Sequence, residues 1–438
     1  MKSYSKRIFF FGIAISILFN ALSQETEQYR LSLEQAVEMG LQNHQQLKIS
    51  SAQVKASEEE VKVSKLQQLP SITLTANAFY LGDAVILDQD LAKVQTVDMP
   101  HFGNTFGIEA AQLLYKGGVV KKSIEMAELK QQLAELDFAG NEQEIKFLIV
   151  SNYLDIYKLI NQIQVLEQNK VHAEQLLANV TKLYKEDMVT RNEVIRSELL
   201  IKNLEQSILT VKNNHAILSN QMSYALGLPN NIIIIPTEKI EDIVMIESQS
   251  YYTDLARQHP HLQSAEKNVE IAEKNVSIQK TNWVPSISAF GGYTMQRPIT
   301  TSTPALDLYS NSWQVGLNLS FNLDNLFRTK RQVNLSKSQA RITRESLTYT
   351  RQAIAIEINA AYVKYQEAKQ QIALTDKSRA LANENYDIVK NKYLHQLAIT
   401  AEMTDASNAK LNAELEYANA VVKALFQYYN LLKATGTL

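Results

Sequence analysis

Residues Gln67–Asp83 read QQLPSITLTANAFYLGD, and the pattern changes in the middle. A long polar run of helical composition halts at Pro70. The next ten or so residues then alternate, with Ile72, Leu74, Ala76, Ala78 and Tyr80 set against Ser71, Thr73, Thr75 and Asn77. Period two is the strand signature, and proline holds the residue before it out of helix. The layout returns at Asn282–Pro298, NWVPSISAFGGYTMQRP, where Pro285 stands in the place of Pro70.

The recurrence extends over most of the chain. An offset of 215 carries His44 to His259, Glu58 to Glu273, Lys65 to Lys280 and Ile72 to Ile287. An offset of 209 carries Tyr184 to Tyr393, Glu193 to Glu402, Glu205 to Glu414 and Gly227 to Gly436. Constant offsets over such lengths mark an internal duplication, with connections of unequal length after the two prolines.

Glycine and proline then divide each half. Val119–Leu226 holds no proline and one glycine, Gly140, and Leu317–Thr435 holds neither, so both read as helical tracts. Ile149, Ile156 and Ile163 recur every seven residues, and Ile354, Ile358, Ala361, Tyr365, Ala368 and Ile372 alternate steps of four and three, as in a coiled coil. A helix from about Val119 to Glu186 would reach roughly 100 Å, more than a globular core needs.

Between the helical tracts the alternation is of strand type. In SWQVGLNLSFN, Trp313, Val315, Leu317, Leu319 and Phe321 alternate with polar residues and Gly316; Phe106, Ile108 and Ala110 do so against Gly107 and Glu109. Segments of about ten residues suit a tilted transmembrane β-strand, with Tyr80, Tyr293 and Trp313 as interfacial aromatics. Alternation also fits a small soluble sheet capping a coiled coil. If the strands lie in lipid, four cannot close a barrel, and the chain must pool them with copies of itself, eight in a dimer or twelve in a trimer.

Composition narrows the class of function. The 438 residues carry 44 basic and 46 acidic side chains, so no global basic field recruits nucleic acid. Lys2, Lys6 and Arg7, the apolar Ile8–Phe19 and the small residues before Gln24 read as a secretory signal over residues 1–23. Absence of cysteine excludes disulfides, thiolate sites and a lipid-modified cysteine. The histidines are scattered, HPH at 259–261 lacks a third ligand nearby, and no P-loop, nucleophile elbow or His-Glu-x-x-His motif occurs. The expectation is no enzyme and no cofactor, with transport energy supplied from elsewhere.

The signal, the duplicated order of helix, proline, strand, loop, strand, long helix and hairpin, and the endings YALGLP and KATGTL resemble the TolC-type outer-membrane efflux protein family. The resemblance covers nearly the whole mature chain. It implies a mainly α fold with a small β part: duplicated long antiparallel coiled-coil helices plus four transmembrane strands per chain, a homotrimer with one 12-stranded barrel, and an α-helical periplasmic tunnel below it. The divisions are an ascending helix over 24–70, a strand hairpin over 71–115 with an external loop, a long helix, tip and return helix over 116–227 and a linker over 228–250. The second copy follows over 251–285, 286–322 and 323–438. Implied partners are a periplasmic adaptor (membrane fusion) protein, an inner-membrane transporter of RND, ABC or MFS type, and outer-membrane lipid. The runner-up is a secreted coiled-coil structural or adhesive protein with a soluble β cap.

The family's tip pattern is a tyrosine, a glycine three residues on and an acidic residue six further. It matches Tyr184 with Glu193 and Tyr393 with Glu402 and Asp405, but Asp187 and Gln396 replace the glycines. Aspartate visits positive φ more readily than most residues, so turns are expected there. The arginine of some members is Ala398, which leaves a gate latched by that arginine without support. Glu402 and Asp405, three residues apart and on one helix face, would become carboxylate rings that select cations in a trimer, with Tyr393 beside them; the alternative is a solvated face. Glu193 is a weaker candidate for the same gate or selectivity ring, and with Thr190 it fits a capping box, the favoured reading. Met188, Val189, Leu397 and Ile399, around Asp187 and Gln396, form a candidate adaptor-docking tip or a packing contact between neighbouring hairpins.

Overall fold

The computed structural model describes residues 27–230, 232–238, 246–302 and 304–438; the expected signal segment lies outside them. In the first half, β1 (Glu27–Leu31) leads into α1 (Leu33–Asn43) and α2 (Gln45–Leu66). Four strands follow, β2 (Ser71–Tyr80), β3 (Ala84–Leu87), β4 (Lys93–Val97) and β5 (Phe102–Tyr115), then the helices α3 (Val119–Lys185) and α4 (Arg191–Leu226). The second half runs β6 (Ile232–Pro236), α5 (Gln249–Leu255), α6 (Pro260–Gln279), β7 (Ser286–Arg297), β8 (Ser310–Ser320), α7 (Asn325–Leu394) and α8 (Thr400–Thr435). Both prolines stand directly before a strand.

Two compact units result, one from Ser50–Ala139 with Pro260–Gln352, the other from the residues up to Ile49 with Gly140–His259 and Ala353–Leu438. The first holds a four-stranded antiparallel sheet in the order β2-β5-β7-β8. Glycine makes its exit into helix: Gly117 and Gly118, at φ 58° and 74°, turn the chain between β5 and α3. Val276, Val333 and Ala340 form a buried helical cluster in this unit.

The second unit is helical around a parallel pair, β1 with β6. Ile232 and Ile234 are buried, His215 Nε2 donates to the Ile234 carbonyl (2.9 Å), and Ile234 N donates to Ser219 Oγ (3.2 Å). Tyr153 donates to the Leu31 carbonyl (3.1 Å); burial first, then the Glu238 carboxylate, pushes its hydroxyl up to about 12. The expected seams are largely present: Ile149, Ile156, Ile354, Ile358, Ala361, Tyr365 and Ala368 are buried, whereas Ile163 and Ile372 are half-buried. Gly227 and Gly436 end α4 and α8 at φ 71° and 74°, and each abuts the chain just before an ascending helix. A side chain there would strike Asn43 or the backbone of His259.

Two strand pairs depart from expectation. The external loop expected within residues 71–115 contains the hairpin β3–β4, and β1–β6 falls where helix and linker were read. Both are short, and β1 pairs with a partner some 200 residues away, so no local period announces them.

Candidate functional site

One face of the sheet is predominantly apolar and the other predominantly polar, although Phe79, Leu113 and Phe290 lie on the polar side. Register aligns Leu74, Ile108, Tyr293 and Trp313 in one row and Ile72, Ala110, Gly291 and Val315 in the next; Ala289 with Leu317 and Ile287 with Leu319 continue the same face. These apolar side chains have no covering partner within the described residues, with Leu74 79% and Trp313 75% exposed. Polar Asn104, Arg297 and Asn311 bound this band toward the loops, and Gln112 toward the helices. The opposite face carries Thr73, Thr75, Asn77, Thr105, Thr294, Ser312, Gln314 and Asn318. Glu109, between Thr73 and Gly292, is the one ionisable side chain on it among the described residues. β2 and β8 each leave an edge unpaired.

The helix hairpins of the other unit turn without glycine. Asp187 and Gln396 take φ 58° and 60°. Asp187 N donates to the Tyr184 carbonyl (3.1 Å) and Met188 N to that of Leu183 (2.9 Å); Gln396 N and Leu397 N repeat this with Tyr393 (3.0 Å) and Lys392 (2.8 Å). This crossed pair of bonds is the Schellman closure, which satisfies the last helical carbonyls and demands a left-handed residue at the position these two occupy. The expected turns are therefore present, in glycine-type geometry.

The tip residues sort differently from expectation. Tyr393 is 5% exposed, accepts from Thr400 Oγ1 (3.2 Å), and packs with Leu176, Val180, Val194, Tyr386 and Met403. It is a core residue of its own hairpin pair. Val189 also packs against that cluster and leaves the exposed set, whereas Met188, Leu397 and Ile399 remain exposed, and Gln396 Nε2 approaches Met188 Sδ at 3.8 Å. The capping box read at Thr190 and Glu193 is absent. Thr190 makes no side-chain cap bond, Glu193 N donates instead to the Thr190 backbone carbonyl (3.1 Å), and Glu193 Oε2 turns inward, buried and unpartnered. Glu402 and Asp405 are both exposed on α8 and form no ion pair among the described residues.

One duplicated polar pair escaped the sequence reading. Glu205 and Glu414, equivalent in the repeat, both reach α3: Lys170 approaches Glu205 at 3.0 Å, and Asn169 Nδ2 donates to Glu414 (2.8 Å). The Lys202 ammonium, and then that of Lys170, holds Glu205 below the usual carboxylate range. Lys410 lies 4.6 Å over the Tyr386 ring beside Glu414, and burial raises the Tyr386 hydroxyl. The offset of 209 pointed to these glutamates; their partner helix did not show in the spacing.

Comparison with known proteins agrees with this geometry. The chain matches the family described as "Outer membrane efflux protein" over residues 36–228 and 251–437. It is 23% identical to the outer membrane efflux protein BepC of Brucella suis biovar 1 (strain 1330), over 93% of this chain and 86% of that one. In fold it is similar to the outer-membrane channel OprN, with a TM-score of 0.79 at 16% identity over 93% of this chain and 90% of that one. It is similar also to CusC, with a TM-score of 0.77 at 15% identity over 95% of each chain. The protein belongs to the outer membrane efflux protein family, and the outer membrane is its location.

Proposed function

We propose that three copies of this chain form a passive exit duct through the outer membrane. Their twelve strands close one barrel, and cargo arrives from an inner-membrane transporter of RND, ABC or MFS type through a periplasmic adaptor. The observation that carries this reading is the sheet, apolar and exposed on one face, polar on the other and open at both edges. In hydrocarbon no backbone edge stays unpaired, so β2 of one copy must meet β8 of the next. The exposed Met188, Leu397 and Ile399 offer the adaptor an apolar tip. Trimerisation turns Glu402 and Asp405 into two carboxylate rings that favour cations.

Single-channel recording in planar bilayers tests the reading, with the wild type beside the double variant Glu402→Ala, Asp405→Ala. The expected result is a cation-selective pore whose selectivity falls in the double variant. Conductance with unchanged selectivity would return the carboxylates to a solvated face; folded, trimeric protein without conductance would count against an open duct.

A further inference from the structure

The ends of the four strands nearest the helices carry a collar that conduction does not use. Leu66, Leu69, Leu114, Tyr115, Trp283 and Phe327 are exposed there. Among them in sequence stand Lys116, Lys121, Lys280, Lys330 and Arg331; none forms an ion pair among the described residues, and Lys121, after the Lys274 ammonium, lies within the field that lowers Glu125. Their basic neighbours are engaged: Lys65 with Glu128 (3.5 Å), Lys274 with Glu125 (2.8 Å) and Arg328 with Asp324 (3.1 Å). At the other end of the sheet the sign reverses, with Asp83, Asp88, Asp90 and Asp98 against Lys93 between β2 and β5.

The collar contains a formed cavity. Lys122 Nζ donates to the carbonyls of Gly117 (3.0 Å) and Ser277 (3.4 Å), and Gly117 abuts Thr281, so the turn after β5 and the turn before β7 make one surface. In the β5 turn opens a cavity of about 300 Å³ lined by Gln67, Gln68, Gln112, Leu114, Lys116 and Lys121. Gln112 bounds the apolar face. Its Nε2 donates to the Leu113 carbonyl (3.1 Å), and its Oε1 is buried with no partner. Two ammonium groups at one cavity with an adjoining apolar surface describe the complement of an anionic lipid, a phosphate and its acyl chains.

We infer that this cavity binds the headgroup of an anionic phospholipid of the phosphatidylglycerol type. Lys116 and Lys121 hold the phosphate, and the chains lie along Leu114 and the apolar face. The inference rests on the sheet facing lipid, as proposed above.

Native mass spectrometry of the purified protein, titrated with phosphatidylglycerol or phosphatidylcholine, tests it. The choline headgroup has the phosphate but neither net charge nor a donor. The wild type is expected to retain phosphatidylglycerol preferentially, and Lys116→Gln with Lys121→Gln to lower that retention about tenfold while assembly and conductance persist. Equal retention of the two lipids, or unchanged retention in the variant, overturns the inference and leaves the duct standing; a lipid-free assembled protein means that a neighbouring copy covers the cavity, which overturns it too. Should the double variant fail to assemble, Trp283 reports instead. With Trp313→Phe as background, brominated phosphatidylglycerol should quench it more than brominated phosphatidylcholine, and equal quenching sinks the inference. Protein that enters neither bilayer would overturn the duct reading itself, and this inference with it.

Discussion

Asp187 and Gln396 hold a backbone conformation that costs an L-residue about 1–2 kcal/mol, aspartate less than glutamine. Gln396→Gly should therefore raise stability by about 1 kcal/mol and Asp187→Gly by less, read from thermal unfolding in detergent. Gly436→Ala should do the reverse, by about 2 kcal/mol or more, since a Cβ there adds left-handed strain to a 2.9 Å clash with the His259 backbone. His44 gives the helix joint a pH dependence. Its Nδ1 accepts from Gln46 N (3.2 Å), which requires an unprotonated nitrogen, and burial lowers its pKa from 6.5. A histidine held neutral by folding binds fewer protons folded than unfolded, so its contribution is complete above pH 6.5 and declines as the pH falls below that value. Wild type should lose more stability between pH 7.5 and 5.5 than His44→Asn does; equal losses would remove His44 from the account.

The strands put the lipid-facing reading at risk directly. Leu317 and Gln314 lie on opposite faces of β8. If the apolar face meets hydrocarbon, Leu317→Arg should cost about 2–4 kcal/mol and Gln314→Arg little. Equal tolerance of both, measured by folding into lipid vesicles, would favour a sheet exposed to water on both sides. Much of this architecture was legible beforehand. Period two over Trp313–Phe321 identified a face, and Pro70 and Pro285 located the change from helix to strand, because both signals are local. The pair β1–β6 was not legible, since five residues such as Glu27–Leu31 carry too little pattern and their partner is remote in sequence. The T-x-x-E motif at Thr190 misled for a related reason: a capping box depends on a rotamer, and Glu193 turns its carboxylate inward.

Assembly has its own marker on α7. Leu335, Ile342, Tyr349, Ile356 and Val363 recur every seven residues and are 54–73% exposed. This row lies two positions beyond the buried heptad row of Val333 and Ala340, about 200° around the helix, so α7 carries apolar seams on opposite sides. A helix in the wall of a cylinder needs such a pair, one seam for its own chain and one for a neighbouring copy. If three copies assemble as proposed, Ile342→Glu with Ile356→Glu should abolish that trimer on size-exclusion chromatography with light scattering and leave helical circular dichroism nearly unchanged. A persisting trimer would assign this row to another partner.

Period, punctuation and duplication were enough to specify long helices and four alternating strands, because period and punctuation depend on neighbours within a few residues along the chain; the tip that turns without glycine came from the family resemblance. Where Tyr393 and Val189 would go was not encoded so locally. Tyr393 reads as part of a gate ring and Val189 as exposed tip, and folding draws both into a core with Leu176 and Met403, whose approach depends on how four helices pack. The cavity at Lys116 is of the same kind: its lysines are plain in the sequence, but the unpartnered Gln112 oxygen beside them exists only once β5, the turn and the end of α2 have come together.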